Sequence, residues 1–262
     1  MQASIGDARV NYVQRGEGIP LVALHGAGVD HSDIESALES VQLPFGVRRI
    51  YVDLPGMGLS TGEGLDSNED VVALLAEFIE HLGFGPVLLV GHSYGGYLAR
   101  GVAHRHPELV SGLALLCPAA ESTGARPEHR AVREDADTHD ELAPQLREGF
   151  DEYFVVRTAA LARRYSDSIE PGTHLESEAA LERIFSSWAI EVGPFSGPTL
   201  IVTGRQDSVV GYTDAVEILD DYPGATLAIV DQAGHALIHE RPDVLSALIA
   251  EWVDRANGAD AK

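Results

Sequence analysis

The sequence predicts an α/β protein: a mostly parallel sheet flanked by helices, with a helical insertion between two of its strands. Three observations carry this reading. Short apolar runs alternate with helical patterns along most of the 262 residues, and strand–helix–strand alternation makes a parallel sheet covered on both faces. The runs at 87–90 and 110–116 are apolar almost throughout, as strands buried on both faces must be. The alternation fails only between about residues 119 and 194, where no convincing buried strand can be drawn.

Taken in order, residues 10–14 and 20–24 read as strands separated by the turn Arg15-Gly16-Glu17-Gly18, and 47–52 as a third. Ser67 is an N-cap with Asp70 at the capping-box position, opening an amphipathic helix to about Leu82 that residues 83–86 end. After the strand at 87–90, a helix runs from about Tyr94 to His106, where Pro107 stops it. Strands at 110–116, 199–202 and 225–230 follow, the last two separated by a helix near 213–219. A final helix spans about 242–255, with Pro242 in its first turn. Within the insertion, 150–164 and 178–188 have helical patterns, and 135–140 reads as a charged loop or frayed helix. The domain division expected is a core of residues 1–118 and 195–262 with a cap of residues 119–194.

Composition narrows the function classes. With 41 acidic and 18 basic residues, the formal charge is −23, a surface that repels nucleic acid and anionic membranes. A small-molecule substrate is the expected partner. Cys117 is the only cysteine, so no intramolecular disulfide can form. The first residues have neither a basic region nor an apolar run, and no apolar stretch is long enough to span a bilayer. A cytoplasmic protein is the expectation.

The chemistry-bearing motif is Gly91-His92-Ser93-Tyr94-Gly95, between the strand at 87–90 and the helix after it. A sharp strand-to-helix turn lifts the serine clear of the sheet. Side chains at Gly91 or Gly95 would collide with neighbouring backbone, and the helix N-terminus lends positive potential where an oxyanion would form. Ser93 is therefore the candidate nucleophile.

At this point the chain resembles the α/β-hydrolase superfamily along nearly its whole length, in its serine esterase, lactonase and C–C hydrolase branches, which implies a mostly parallel sheet of the eight-stranded type with a helical cap inserted after the sixth strand. Four more segments match in order: His25-Gly26-Ala27-Gly28, Asp53-Leu54-Pro55-Gly56-Met57-Gly58-Leu59-Ser60, Gly204-Arg205-Gln206-Asp207 and Gly234-His235. The resemblance implies that His235 is the general base, that Asp207 orients it, and that the backbone N–H groups of Ala27 and Tyr94 form an oxyanion hole. A serine nucleophile argues against the dehalogenase and epoxide hydrolase branches, which use aspartate there. No metal or organic cofactor is implied.

Other residues have competing readings. Asp231 and Glu121 are rival acids. His92 either packs behind the elbow or lines the pocket; Asp30 and His31 either touch substrate or cap the next helix. Tyr153 and Trp188, with the other aromatic residues of the insertion, either pack it against the core or line a pocket beneath it. His25 is read as bracing the oxyanion loop, and Cys117 as a buried strand-end residue. His104 and His106 point to different sides of a helix end, and His235 and His239, four apart, make a weak metal motif.

The first function expected is hydrolysis of a carboxylic ester, thioester or lactone. Cleavage of a carbon–carbon bond in ring-cleavage products and proline-releasing aminopeptidase activity are alternatives on the same fold. A non-catalytic ligand-binding protein is the alternative of a different class. A dinucleotide-dependent oxidoreductase is the weakest, since the elbow lacks Gly-x-Gly-x-x-Gly.

Overall fold

The structure is a computed structural model that describes residues 1–43, 46–120 and 126–259. Six strands come first: β1 (Gln2–Ile5), β2 (Ala8–Arg15), β3 (Ile19–Leu24), β4 (Val47–Val52), β5 (Val87–His92) and β6 (Val110–Leu116). Helices α1 (His31–Leu38), α2 (Asn68–Leu82) and α3 (Tyr94–Arg105) lie between them. Next come β7 (Arg133–Glu134), α4 (Arg147–Tyr153), β8 (Val156–Arg157), α5 (Ala159–Arg164) and α6 (Glu178–Ser186). The chain closes with β9 (Thr199–Gly204), α7 (Thr213–Glu217), β10 (Ala225–Val230), α8 (Leu237–Glu240) and α9 (Pro242–Ala259).

Eight strands form one sheet in the order β1-β2-β4-β3-β5-β6-β9-β10. The β1–β2 and β2–β4 pairs are antiparallel, and all others are parallel. The central strands are apolar because both faces are covered: α2 and α3 pack on one side, α1 and α9 on the other. The α2 helix begins as its sequence requires. Ser67 accepts from the Asp70 amide while its hydroxyl donates to the Asp70 carboxylate at 2.8 Å, and Gly83 ends it at φ 70°.

The strand order reverses around β3 and β5, which opens a crevice at the carboxyl ends of the parallel strands. Residues 25–30, 93, 207 and 235 all follow such strand ends.

The segment between β6 and β9 adds nothing to the main sheet among the described residues. It carries its own apolar cluster around Phe150, Phe154, Val155, Leu161 and Tyr165. The single helix expected at 150–164 is instead two, α4 and α5, interrupted by β8, which pairs with β7. The interruption has a physical cause. The amides of Val155 and Val156 donate to the Glu240 carboxylate at 2.7 and 2.9 Å, and Thr158 caps α5. The N-terminal strand β1 was not expected from the sequence, whereas α1 is the helix that Asp30 or His31 was read as capping.

Candidate active site

Ser93 sits between β5 and α3 at φ 52°, ψ −116°, a left-handed conformation that costs a non-glycine residue about 1–3 kcal/mol. Its neighbours hold it there. Ser93 N donates to Leu116 O, while Ser93 O accepts from Tyr97 N and Ala119 N, all at 3.0 Å. A Cβ on Gly91 would lie 2.3 Å from Gly95 O, and one on Gly95 would lie 2.5 Å from His25 O. The glycine spacing is thus a steric requirement of the turn.

The oxyanion-loop segment follows β3. His25 braces it: its Nδ1 donates to Gly26 O at 2.6 Å and its Nε2 accepts from Leu54 N at 2.9 Å. Burial lowers the His25 pKa, consistent with a neutral ring doing both. Ala27 is exposed on this loop, and Tyr94 is the first residue of α3. Of the early α3 amides, that of Gly95 is taken by His25 O and that of Tyr97 by Ser93 O.

His235 Nδ1 lies 2.8 Å from Asp207 Oδ2. Asp207 is fully buried, and its other oxygen accepts from the amides of Val209 and Val210 at 2.9 Å each. Burial pushes its pKa up, but the adjacent His235 and the amides of Val210 and Val209 together outweigh that and the net shift is downward. An acceptor-only carboxylate on Nδ1 fixes the tautomer and leaves Nε2 of His235 as the basic nitrogen. The Ser93 hydroxyl makes no hydrogen bond to His235 among the described residues. Asp231 turns away to Gln206 at 2.8 Å, and Glu121 lies outside the described residues.

His92 packs behind the elbow. Its Nε2 donates to the carbonyl of His235 at 3.0 Å, and the two rings stand 5.0 Å apart. Burial, together with the nearby His235, lowers its pKa to about 4. Asp30 caps α1, its Oδ1 accepting from Ser32 N at 2.8 Å. His31 binds Asp53 through its amide at 2.9 Å and its Nδ1 at 2.7 Å. Trp188 stacks on Tyr97 at 5.4 Å and 9°, and its carbonyl accepts from Asn68 at 2.9 Å. It therefore fastens the inserted segment to α3. Tyr153 is half-buried, with its hydroxyl donating to Asp33 at 2.9 Å.

Two acids were missed from sequence. Asp33, fully buried on α1, accepts from Tyr153 and, at 2.8 Å, from His239 Nε2. Burial disfavours its charge, but His239, His92 and the Tyr153 hydroxyl together more than offset this and the pKa falls to about 2. Glu240 accepts from the amides of Val155, Val156 and Gly234, the last at 2.6 Å. One carboxylate thus ties the inserted segment to the loop bearing His235. Burial raises its pKa. In sequence, Asp33 has only the signature of a first-turn acid. The spacing of Glu240 from His235 was the available hint for the other.

Two groups bring three potential metal-ligand atoms within 4.8 Å of one another: His92, Cys117 and His235, and Asp30, His31 and Asp53. Most of these atoms are already engaged in the bonds above. Cys117 is a buried residue at φ 44° following β6, its thiol 3.8 Å from Gly234 O. Burial raises its pKa far above the ordinary thiol value.

An elbow serine after the fifth strand and an acid–histidine pair after the last two parallel strands define the class of the protein: an α/β-hydrolase fold. The chain belongs to the alpha/beta hydrolase family, whose pattern matches residues 21–248, and it is a hydrolase. It is 24% identical over 248 residues to the (E)-2-((N-methylformamido)methylene)succinate hydrolase of Acinetobacter baylyi, covering 93% of this chain and 94% of that one. It is 25% identical over 285 residues to a monoacylglycerol lipase of Xenopus laevis, covering 98% and 83%. Among solved structures, an alpha/beta superfamily hydrolase from Oenococcus oeni superposes with a TM-score of 0.86 at 23% identity, over 98% of this chain and 99% of that one.

Proposed function

We propose that the protein is a serine hydrolase that cleaves a carboxylic ester, thioester or lactone of a small organic substrate through an acyl-enzyme on Ser93. The observation that carries the reading is the 2.8 Å Asp207–His235 bond, which leaves a basic Nε2 on a loop packed against the strained elbow. Ser93 Oγ attacks the carbonyl carbon as His235 Nε2 takes its proton. The tetrahedral oxyanion accepts from the amides of Ala27 and Tyr94. His235 then gives the proton to the leaving oxygen or sulfur, and water, deprotonated by the same nitrogen, hydrolyses the acyl-enzyme. Asp207 stays ionised and stabilises the imidazolium formed in each half.

In this reading residues 119–194 act as the cap over a core of 1–118 and 195–262, and the substrate-facing surface lies between them. No helix among the described residues is long and apolar enough to cross a membrane, which is compatible with the proposed cytoplasmic setting. No metal or cofactor enters any step.

A second reading is favoured by the relatives. Alongside the lipase stand hydrolases of C–C-cleavage type, such as the 2-hydroxymuconate semialdehyde hydrolase of Pseudomonas putida, 27% identical over 263 residues. The same serine and histidine would then serve a vinylogous diketone.

The test is hydrolysis of short and medium p-nitrophenyl esters by the wild type and Ser93→Ala, with intact-mass detection of a fluorophosphonate adduct. Turnover and labelling that both vanish in the variant support the ester reading. Labelling without ester turnover favours C–C cleavage. Neither would bring the non-catalytic binding protein forward.

A further inference from the structure

No hydrogen bond links the Ser93 hydroxyl to His235 among the described residues, so other groups hold the spacing of the two. Ser93 is fixed to the sheet and the elbow by its backbone bonds to Leu116, Tyr97 and Ala119. His235 lies on the loop after β10. His92, the residue before the nucleophile, joins them. It ends β5, a strand buried along its whole length, and is itself 2% exposed. Its Nε2 donates to the His235 carbonyl at 3.0 Å, and the two rings stand 5.0 Å apart. One residue earlier, the Gly234 amide donates to Glu240 at 2.6 Å. The backbone on both sides of the base is thus pinned, on one side by the chain neighbour of the nucleophile.

The elbow itself does not call for a histidine here. Its sterics fall on Gly91 and Gly95, and an apolar side chain would fill the space at 92. The histidine also carries a cost. A carbonyl only accepts, so Nε2 bears the proton and the neutral ring has a bare Nδ1. That atom is buried with no hydrogen-bond partner among the described residues, and the Asp33 carboxylate stands 4.0 Å away, beyond bonding reach. What the ring gives in return is the Nε2 bond to His235. Burial, with His235 beside it, lowers the His92 pKa to about 4, so the ring stays neutral and the donor stays in place at neutral pH. The third contact is with the oxyanion-loop segment. A Cβ on Gly26 would lie 3.3 Å from His92 Nδ1 and 3.4 Å from Ser93 Cβ, so the loop approaches the ring closely just before Ala27.

We propose that His92 is a positioning residue for the reaction: its Nε2–H holds the His235 backbone at a fixed distance from Ser93, and its ring backs the oxyanion loop at Gly26. The proposal rests on the serine hydrolase reading and adds to it a group that touches no substrate. His92 moves no proton. It acts through His235, whose Nε2 has to reach Ser93 Oγ as the acyl-enzyme forms and the leaving group afterwards. A misplacement of about 1 Å between such partners costs on the order of 100-fold in rate, so one buried hydrogen bond to the backbone of the base is enough to matter.

The test compares His92→Gln and His92→Leu with the wild type on p-nitrophenyl acetate, together with the rate constant of fluorophosphonate labelling. Gln carries an amide N–H to where Nε2 stood; Leu fills similar space without a donor. His92→Leu is expected to lower kcat and the labelling rate by about 10–100-fold with KM little changed, and His92→Gln to recover most of that loss. Equal kcat in the two variants, or a loss carried by KM alone, overturns the proposal and leaves the serine hydrolase reading standing, with the ring as packing only. Should His92→Leu fail to fold, His92→Asn takes its place, since its shorter amide reaches the Nδ1 position and not the His235 carbonyl, and the same outcomes decide. If the wild type is labelled but does not turn over the ester, the labelling rates of the variants decide alone. A wild type that is neither labelled nor active overturns the underlying reading, and the proposal with it.

Discussion

The strand ends of the sheet and the segment inserted between β6 and β9 are built on different principles. At the strand ends, backbone meets backbone. Gly91 and Gly95 pack where a Cβ would fall 2.3 and 2.5 Å from carbonyl oxygens, and β5 and β9 are buried along their whole length. The inserted segment has short helices around its own aromatic cluster. Its ties to the core include a handful of side-chain links: Tyr153 to Asp33, the 155–156 amides to Glu240, and Trp188 on Tyr97. The difference teaches where specificity can change. Close-packed backbone holds Ser93 and the loops beside it with little tolerance, while side-chain links allow the inserted segment to vary without disturbing the elbow.

Variants at the two regions should therefore differ in kind. Ser93→Ala is expected to lower kcat by about 10⁵–10⁶ for every substrate turned over, with Tm unchanged by comparison. A residual rate near wild type would remove Ser93 from the chemistry. Asp207→Asn should cost about 10⁴ in kcat through loss of the His235 tautomer; a near-normal rate would shift the acid to Glu121.

Glu240→Gln tests the seam between the regions. The amide keeps one acceptor oxygen and puts a donor against backbone N–H, so either the 155–156 amides or Gly234 loses its partner. A loss of about 1–3 kcal/mol in stability is expected, and kcat should fall with it because the His235 loop loosens. An unchanged kcat with a lowered Tm would make the residue purely structural. Trp188→Ala, in a position 37% exposed, should cost about 1 kcal/mol and change KM more than kcat. Equal effects on both would mean that the tryptophan helps shape the reacting end.

The last effect is on stability alone, a pH dependence in the core. Asp53 accepts from His31, Asn11 and Leu59. Burial disfavours its charge, but these bonds, His31 foremost, bring its pKa down to about 2. A depressed acid stabilises above its unfolded pKa, and that stability is lost as pH falls through the folded value. The stability gap between wild type and Asp53→Asn, roughly 2 kcal/mol at neutral pH, should shrink steadily below about pH 4 in denaturant titrations. A gap independent of pH would show that the variant acts through packing alone.

Much of this was legible in the sequence because it depends on neighbours along the chain. The parallel sheet follows from wholly apolar runs, α2 from Ser67 and Asp70, and the elbow from glycines two residues either side of Ser93. His25 was read as bracing its loop, and it does. What escaped depends on contacts between distant residues. Asp33 and His239 are 206 positions apart and look like a first-turn acid and a spare histidine until folding buries them together. The break between α4 and α5 is equally invisible locally: residues 150–164 have a helical pattern, and a carboxylate 84 positions from Val156 takes the amides that would have continued the helix. The sequence by itself determined the strand-end elbow and the helix starts, since steric conflict and capping act over a few residues. Tertiary structure alone decided what surrounds the elbow, since burial makes an unpaired acceptor costly and only the folded chain says which acceptors are buried.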